Sequence, residues 1–190
     1  MNTELDNGFG RALSNDFGHL AVTQETKSLR VSSRVFRAPG MENFVASLRG
    51  TTSKILLVED NRLTRIIEAK LVQKVLKVRC DQILHAKGVD EACKHLDDDR
   101  DSKSIDIIVT DYDYAQYGCA QKLLEELRTL NYVGPIIMIA AQRFADRPDF
   151  LAEQFGDGVC AVIEKPVASE DLADVFGLDT GRILQFTHSI

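Results

Sequence analysis

The sequence predicts an α/β protein with a five-stranded parallel sheet, the flavodoxin-like strand order 2-1-3-4-5 and helices on both faces. Short apolar runs of strand length alternate with segments of helical periodicity between residues 53 and 176. Three of these runs end on charged residues, and right-handed crossovers bring the ends of such strands to one edge of the sheet. We therefore predict a domain at 53–176, preceded by a flexible arm at 1–50 and followed by a tail at 177–190.

The composition argues against several classes of protein. A chain of 190 residues that is 44% hydrophobic can bury a full core, and its net charge of −6 is unlike that of a general nucleic-acid binder. The sequence contains no apolar run long enough for a membrane helix, and Met1 is followed by polar residues instead of a signal sequence. We expect a cytoplasmic protein with no membrane insertion, no direct DNA binding and reduced cysteines.

The predicted arm differs from the domain in charge and pattern. Residues 27–37 carry four basic residues and no acid, and no sustained period runs through residues 1–50. Glycines interrupt the few apolar residues, which favours a flexible segment with a short helix at 41–48 that leads into the domain. The basic stretch is either a solvated linker or a docking segment for an acidic partner.

The first half of the predicted domain contains two pairs of a strand and a helix. Residues 55–58 (ILLV) form the first strand, and residues 82–86 (QILHA) form a weaker second strand. A helical spacing of apolar residues follows each strand. These residues are Leu63, Ile66, Ile67, Leu71 and Val75 in the first helix, and Val89, Ala92, Cys93 and Leu96 in the second.

The second half contains three further pairs. The central strand is predicted at 105–113 (IDIIVTDYD), because a continuous apolar run bounded by polar residues is typical of a strand buried on both faces. The other predicted elements are strands at 136–140 and 159–163, a helix over 120–127 stopped by Gly134 and Pro135, a helix from Pro148 to Gly156, and a last helix capped by Ser169.

Charged residues end three of the predicted strands. Glu59 and Asp60 follow the first strand, Asp111 lies in the central strand, and Lys165 follows the fifth. An aspartate after an apolar run is, taken alone, more often a turn residue or a helix cap. Because the three strands share one edge, however, the acids and the lysine converge there.

The convergence of these side chains indicates a phosphoryl-transfer site. Carboxylates in one pocket repel one another, and a divalent cation with oxygen ligands, above all Mg²⁺, relieves that repulsion. Lys165 supplies a point charge for a phosphoryl group. Asp111 can then act as the nucleophile toward phosphorus.

Three motifs give the sequence a resemblance to a known family. The segments ILLVEDN, DIIVTD and VIEKPV make residues 53–176 similar to the receiver domain of two-component response regulators. The resemblance implies that Asp111 is the phosphorylated residue and that Glu59, Asp60, Asp111 and the backbone carbonyl of Asp113 bind Mg²⁺. It also implies that Lys165 pairs with the acyl phosphate, in a turn that permits a cis bond to the following proline.

Among the departures from the pattern of that family, two concern the structural response to phosphorylation. The family usually has Ser or Thr at the end of the fourth strand, where this sequence has Ala140. It usually has an aromatic residue three positions before the lysine, where this sequence has Val162. The resemblance thus predicts the phosphorylation chemistry, while these two positions predict a different structural response.

Three hypotheses for function follow. The first is a single-domain response regulator that receives phosphate from a histidine kinase or histidine phosphotransfer protein, signals through protein contacts and catalyses only its own phosphorylation. The second is a receiver-shaped interaction module that acts without phosphorylation. The third is a phosphatase of the haloacid dehalogenase type, in which Asp111 is the nucleophile and Asp113 the general acid.

Overall fold

The computed structural model describes residues 34–38, 54–98, 105–114, 118–141 and 147–178. Within these ranges the strands are β1 (Val35–Arg37), β2 (Lys54–Val58), β3 (Ile83–Ala86), β4 (Ile105–Asp111), β5 (Asp113–Tyr114), β6 (Gly118–Cys119), β7 (Ile136–Ala140) and β8 (Val159–Glu164). The helices are α1 (Arg62–Leu76), α2 (Val89–Asp98), α3 (Ala120–Thr129), α4 (Pro148–Gly156) and α5 (Ser169–Val175), with a 3-10 turn at Cys80–Gln82.

The main sheet has six strands in the order β1-β8-β7-β4-β2-β3. Strands β8, β7, β4, β2 and β3 pair in parallel, which confirms the predicted order 2-1-3-4-5 for these five. The central strand β4 lies between β2 and β7, so Asp111 at its end is flanked by the ends of both neighbours. Strands β5 and β6 form a separate antiparallel pair after β4.

The prediction of a purely parallel, five-stranded sheet is wrong at one edge. Strand β1 pairs antiparallel with β8, with Val35 opposite Ile163 and Phe36 opposite Val162. The prediction that the whole of 1–50 is a flexible arm is therefore also wrong for this segment. Three residues are too few to show a strand period, so the sequence did not reveal β1. The rest of the arm, including the helix expected at 41–48, and the tail beyond residue 178 lie outside the described residues.

Two hydrophobic cores cover the two faces of the sheet, which confirms that helices lie on both sides. Alternate strand residues point to opposite faces, as in Leu56 and Leu57 of β2. Helices α2, α3 and α4 cover the face that contains Leu56 and Met138. Helices α1 and α5 cover the face that contains Leu57 and Ile163.

Helix α1 forms where it was expected but buries only part of the predicted apolar side. Of the residues predicted to mark its apolar side, Leu63, Ile66 and Ile67 are exposed by 72%, 41% and 59%. Val75 is buried as predicted, Leu71 is partly buried against the same core, and the other buried residues are Glu68, Ala69 and Val72. The helix carries two apolar stripes, and the one with the small Ala69 packs on the sheet, with the carboxyl of Glu68 beside it.

The helices near β8 agree with the prediction except at one cap. Helix α4 begins at Pro148 and ends at Gly156, as predicted. Helix α5 is not capped by Ser169, which is its first helical residue. Instead, the carboxylate of Asp171 accepts a hydrogen bond of 2.8 Å from the backbone amide of Ala168. No helix in the described part of the chain is long and apolar enough to cross a bilayer.

Candidate functional site

The predicted site residues meet at the carboxyl edge of the parallel strands. Glu59 directly follows β2 and is 1% exposed, and Asp111 ends β4 and is 6% exposed. Asp60 is partly exposed beside Glu59, and Lys165 follows β8. The structure therefore brings together the two acids after β2, the acid of β4 and the lysine, as the sequence predicted.

Lys165 joins the ends of β2 and β4. Its Nζ lies 2.7 Å from Oδ2 of Asp111 and 3.1 Å from Oε2 of Glu59. Its backbone amide donates to the carbonyl of Ala140 at 2.8 Å, which ties it to β7. Burial lowers the pKa of the ammonium, but the hydrogen bonds and charges of Asp111 and Glu59 outweigh burial and raise the pKa overall. The lysine is therefore held in its charged form by the two carboxylates.

Backbone contacts fix the acidic groups. The Asn61 amide donates to Oε1 of Glu59 at 2.8 Å, and the Asn61 side chain accepts from the first amides of α1. The Arg65 guanidinium donates to the backbone carbonyls of Glu59 and Asp60. The Tyr112 amide donates to Oδ1 of Asp111 at 2.8 Å. The sequence analysis missed the roles of Asn61 and Arg65, although an Asn before a helix is a recognisable cap signal.

The donor set fits a hard divalent cation. One carboxylate oxygen from each of Glu59, Asp60 and Asp111 lies within 4.8 Å of the others. Burial raises the pKa of Glu59, opposed by its hydrogen bonds to the Asn61 amide and Lys165. A single ammonium does not neutralise three carboxylates, and their oxygens suit Mg²⁺. Asp113 lies in β5 with an exposed side chain outside this group, and the predicted role of its carbonyl stays a prediction.

Comparison of the sequence with protein-family models found no match, and comparison with curated proteins found none. Solved structures do match. A two-component response regulator from Cytophaga hutchinsonii is 14% identical with a TM-score of 0.55, over 71% of this chain and 98% of that one. The signal receiver domain of an HD domain-containing protein from Pseudomonas fluorescens Pf-5 is 15% identical with a TM-score of 0.51, over 74% and 100%.

A third similar structure is the non-phosphorylated HemR receiver domain from Leptospira biflexa. It is 24% identical with a TM-score of 0.50, over 67% of this chain and 96% of that one. The chain has the fold of a response-regulator receiver domain. Asp111 ends the third parallel strand in chain order, whereas the D-x-D of the haloacid dehalogenase family normally closes the first, and the phosphatase hypothesis stays a prediction.

Within this receiver fold, Glu68 is a site neighbour that the sequence analysis missed. It is 3% exposed on α1, and its Oε2 is buried with no hydrogen-bond partner among the described residues. Burial raises its pKa to about 8, with a lowering effect of Lys165 and smaller raising effects of Glu59 and Asp111. The carboxyl is therefore within electrostatic reach of the site. A glutamate among the polar residues of an amphipathic helix gives no sequence signal for this position.

The two departures from the receiver pattern lie on the β7 and β8 side of the site. Ala140 ends β7 and Val162 lies within β8, and both are 0% exposed. Phe36 of β1 is the cross-strand neighbour of Val162 in the same core. On the same face, the ring of Tyr112 packs edge-on against Phe150 of α4 at 5.1 Å. The aromatic rings on this side include those of β1, α4 and the residue after Asp111.

Proposed function

We propose that this protein accepts a phosphoryl group on Asp111 from a histidine kinase or histidine phosphotransfer protein and signals through protein contacts. The observation that carries the proposal is the Lys165 ammonium, which bridges Asp111 at 2.7 Å and Glu59 at 3.1 Å beside the three converging carboxylates. A nucleophilic carboxylate, a cation for the transferred group and ligands for Mg²⁺ are the parts that phosphoryl transfer to aspartate requires. We propose no other catalytic activity.

The transfer follows from these groups. A carboxylate oxygen of Asp111 attacks the phosphorus of a phosphohistidine and forms the new O–P bond. The P–N bond breaks, and its electron pair stays on the imidazole nitrogen, which then takes a proton from solvent. Lys165 supplies positive charge for the phosphoryl oxygens. Glu59, Asp60 and Asp111 would hold Mg²⁺, which, when bound, neutralises charge on those oxygens.

An apolar surface beside the site supports a helical partner. Leu63, Ile66 and Ile67 are exposed at positions i, i+3 and i+4 of α1, within the turns that follow Asp60. A stripe with this spacing can pack on a helix of the phosphodonor while the site faces its histidine. Its position next to the carboxylates favours a protein donor over a small molecule alone.

The test is incubation with acetyl phosphate and Mg²⁺, followed by intact-mass measurement. We expect the wild type to gain the mass of one phosphoryl group and to lose it in base or hydroxylamine, as an acyl phosphate does. Asp113→Asn is the matched control, since Asp113 is the nearby exposed aspartate, and it should still gain the group. No gain by the wild type, from acetyl phosphate or from a phosphorylated histidine protein, would refute the proposal.

One observation favours the interaction module as the second candidate. The end of β7 carries the methyl group of Ala140, fully buried, in place of a hydroxyl that could bond a phosphoryl oxygen. A module that works without phosphate needs no such hydroxyl. Under this alternative, Asp111→Asn binds its protein partner as tightly as the wild type does, with or without phosphodonor.

A further inference from the structure

Arg34, the residue directly before strand β1, contacts the residues on both sides of Lys165. The Glu164 amide donates to the backbone carbonyl of Arg34 at 2.9 Å. The Arg34 guanidinium donates, through Nη1, to the carbonyl of Pro166 at 3.2 Å. The residue before Lys165 and the residue after it are thus both hydrogen-bonded to Arg34, which lies 132 positions from Pro166 in sequence.

Buried side chains and a further backbone bond hold β1 in this place. Val35 is 0% exposed and Phe36 is 3% exposed, and they enter opposite cores of the sheet. The Ala38 amide donates to the Cys160 carbonyl at 2.9 Å, beyond the end of the strand pairing. The backbone of Arg34 is therefore fixed by the cores, and its guanidinium has a defined position from which to reach the turn.

Lys165 needs such support, because its ammonium must meet two carboxylates at once. On one side, its backbone amide is bound to the Ala140 carbonyl of β7. On the other side, the described contacts to the backbone of the turn come from Arg34. Without the guanidinium, the Pro166 carbonyl loses this donor, while the backbone bonds from Lys165 to Ala140 and from Glu164 to Arg34 remain.

We infer that Arg34 is a positioning residue for Lys165, which makes strand β1 part of the candidate phosphoryl-transfer site. The inference deepens the proposed function and rests on it for the meaning of Lys165. By linkage, a partner that draws β1 away from β8 alters the hold of Lys165 on Asp111, and a change at Asp111 alters the docking of β1 to the same extent. Arg34 belongs to the basic segment of residues 27–37, so a partner that binds Arg34 would be coupled to the site.

The experiment compares three variants of the full chain. Arg34→Ala removes the guanidinium and leaves the backbone carbonyl that receives the Glu164 amide. Arg34→Gln keeps a neutral N–H donor of shorter reach. Arg37→Ala is the matched control for charge, because it removes one positive charge three residues further along, at the end of β1, where Arg37 pairs with Ala161 away from the turn.

Two measurements report on Lys165: one observes its ammonium group, and the other observes the reaction that the ammonium is proposed to assist. The first is the ¹⁵N signal of the Lys165 ammonium, assigned by its absence from Lys165→Arg, and the second is the rate of phosphorylation by acetyl phosphate. We expect Arg34→Ala to broaden or shift the ammonium signal and slow phosphorylation about fivefold, as expected from the loss of one hydrogen bond. Arg34→Gln should recover part of both effects, and Arg37→Ala should match the wild type.

The outcomes separate this inference from the proposed function. If the wild type is phosphorylated but Arg34→Ala leaves the rate and the ammonium signal unchanged, the inference is wrong and the proposed function stands. If the wild type takes no phosphate, the proposed function fails, and the ammonium signal still tests whether Arg34 positions Lys165. A lowered melting temperature with an unchanged ammonium signal would show a purely structural role for Arg34 and would also overturn the inference.

Discussion

The two halves of the carboxyl edge of the sheet differ in how completely they match a receiver domain. On the β2 and β4 half, Glu59, Asp60 and Asp111 converge within 4.8 Å, and Lys165 reaches across to them. On the β7 and β8 half, Ala140 and Val162 carry neither the hydroxyl nor the ring that the family usually has there. The comparison teaches that the cluster of carboxylates and lysine forms without a hydroxyl at position 140 or a ring at position 162.

On the β7 and β8 half, strand β1 and a set of aromatic contacts lie beside Ala140 and Val162. Strand β1 covers the edge of β8 and sets Phe36 opposite Val162. Tyr112, the residue after Asp111, packs against Phe150 of α4, and the Arg147 guanidinium lies 5.2 Å from the Phe150 ring centroid. These contacts connect Asp111 to α4 by aromatic packing.

The largest expected effect lies on the first half. Asp111→Asn keeps the volume of the side chain and removes the nucleophile, so we expect phosphorylation to be abolished. Intact-mass measurement after treatment with acetyl phosphate checks this. If Asp111→Asn gains as much phosphate as the wild type, the acceptor lies elsewhere. The β2 and β4 half would then not be the site of phosphorylation.

The buried carboxyl of Glu68 should make stability depend on pH. Its pKa rises from 4.5 to about 8 in the folded state, so between these values the folded protein holds a proton that the unfolded chain has lost. Stability should therefore fall as pH rises from 4.5 to about 8, where the loss is complete. The loss should be of the order of 5 kcal/mol.

Glu68→Gln isolates this effect, because every other group titrates in both proteins. Urea unfolding without added Mg²⁺ measures the free energy of unfolding at a series of pH values. As pH rises through this window, the stability of the variant should increase relative to that of the wild type. Parallel pH profiles for the two proteins would mean that Glu68 is solvated or paired in the folded state.

A third prediction concerns the strand that covers the second half. Phe36→Ala removes a ring that is 3% exposed, and we expect a loss of about 3–5 kcal/mol in the free energy of unfolding. Arg34→Ala, at an exposed residue of the same segment, should change that free energy by only about 0.5 kcal/mol. Urea unfolding measures both. An unchanged midpoint for Phe36→Ala would return β1 to the status of a dispensable arm.

What the sequence could predict depended on how local the signal was. Glu59, Asp111 and Lys165 each follow an apolar run, and the topology rules for parallel sheets convert that into a shared pocket. Arg34 and Glu68 have roles that depend on which face of a strand or helix packs and on a pairing across the chain. No local pattern contains that information, so these two residues could be found only from the structure.

The smallest expected effect is a stronger structural change of β7 and β8 on phosphorylation in the variant Ala140→Thr. Ala140→Thr adds a hydroxyl at the end of β7, where a bond to a phosphoryl oxygen would be worth about 1.5–3 kcal/mol. A ligand shifts a conformational equilibrium only by its differential affinity, so this bond should strengthen the change that phosphorylation produces. Ala140→Val is the matched control, because it has the shape of threonine without the hydroxyl and reports the cost of overpacking a fully buried position.

The measurement compares backbone amide spectra with and without beryllofluoride, which mimics the phosphoryl group on aspartate. In the wild type we expect shifts near Asp111 and along the Tyr112 and Phe150 contact, with little change in β8. In Ala140→Thr the shifts should extend through β7 and β8, and in Ala140→Val they should not. Large shifts across β7 and β8 in the wild type would contradict the contrast between the halves. If Ala140→Thr shows the same shifts as the wild type, then Val162, which lies opposite Phe36, limits the structural change.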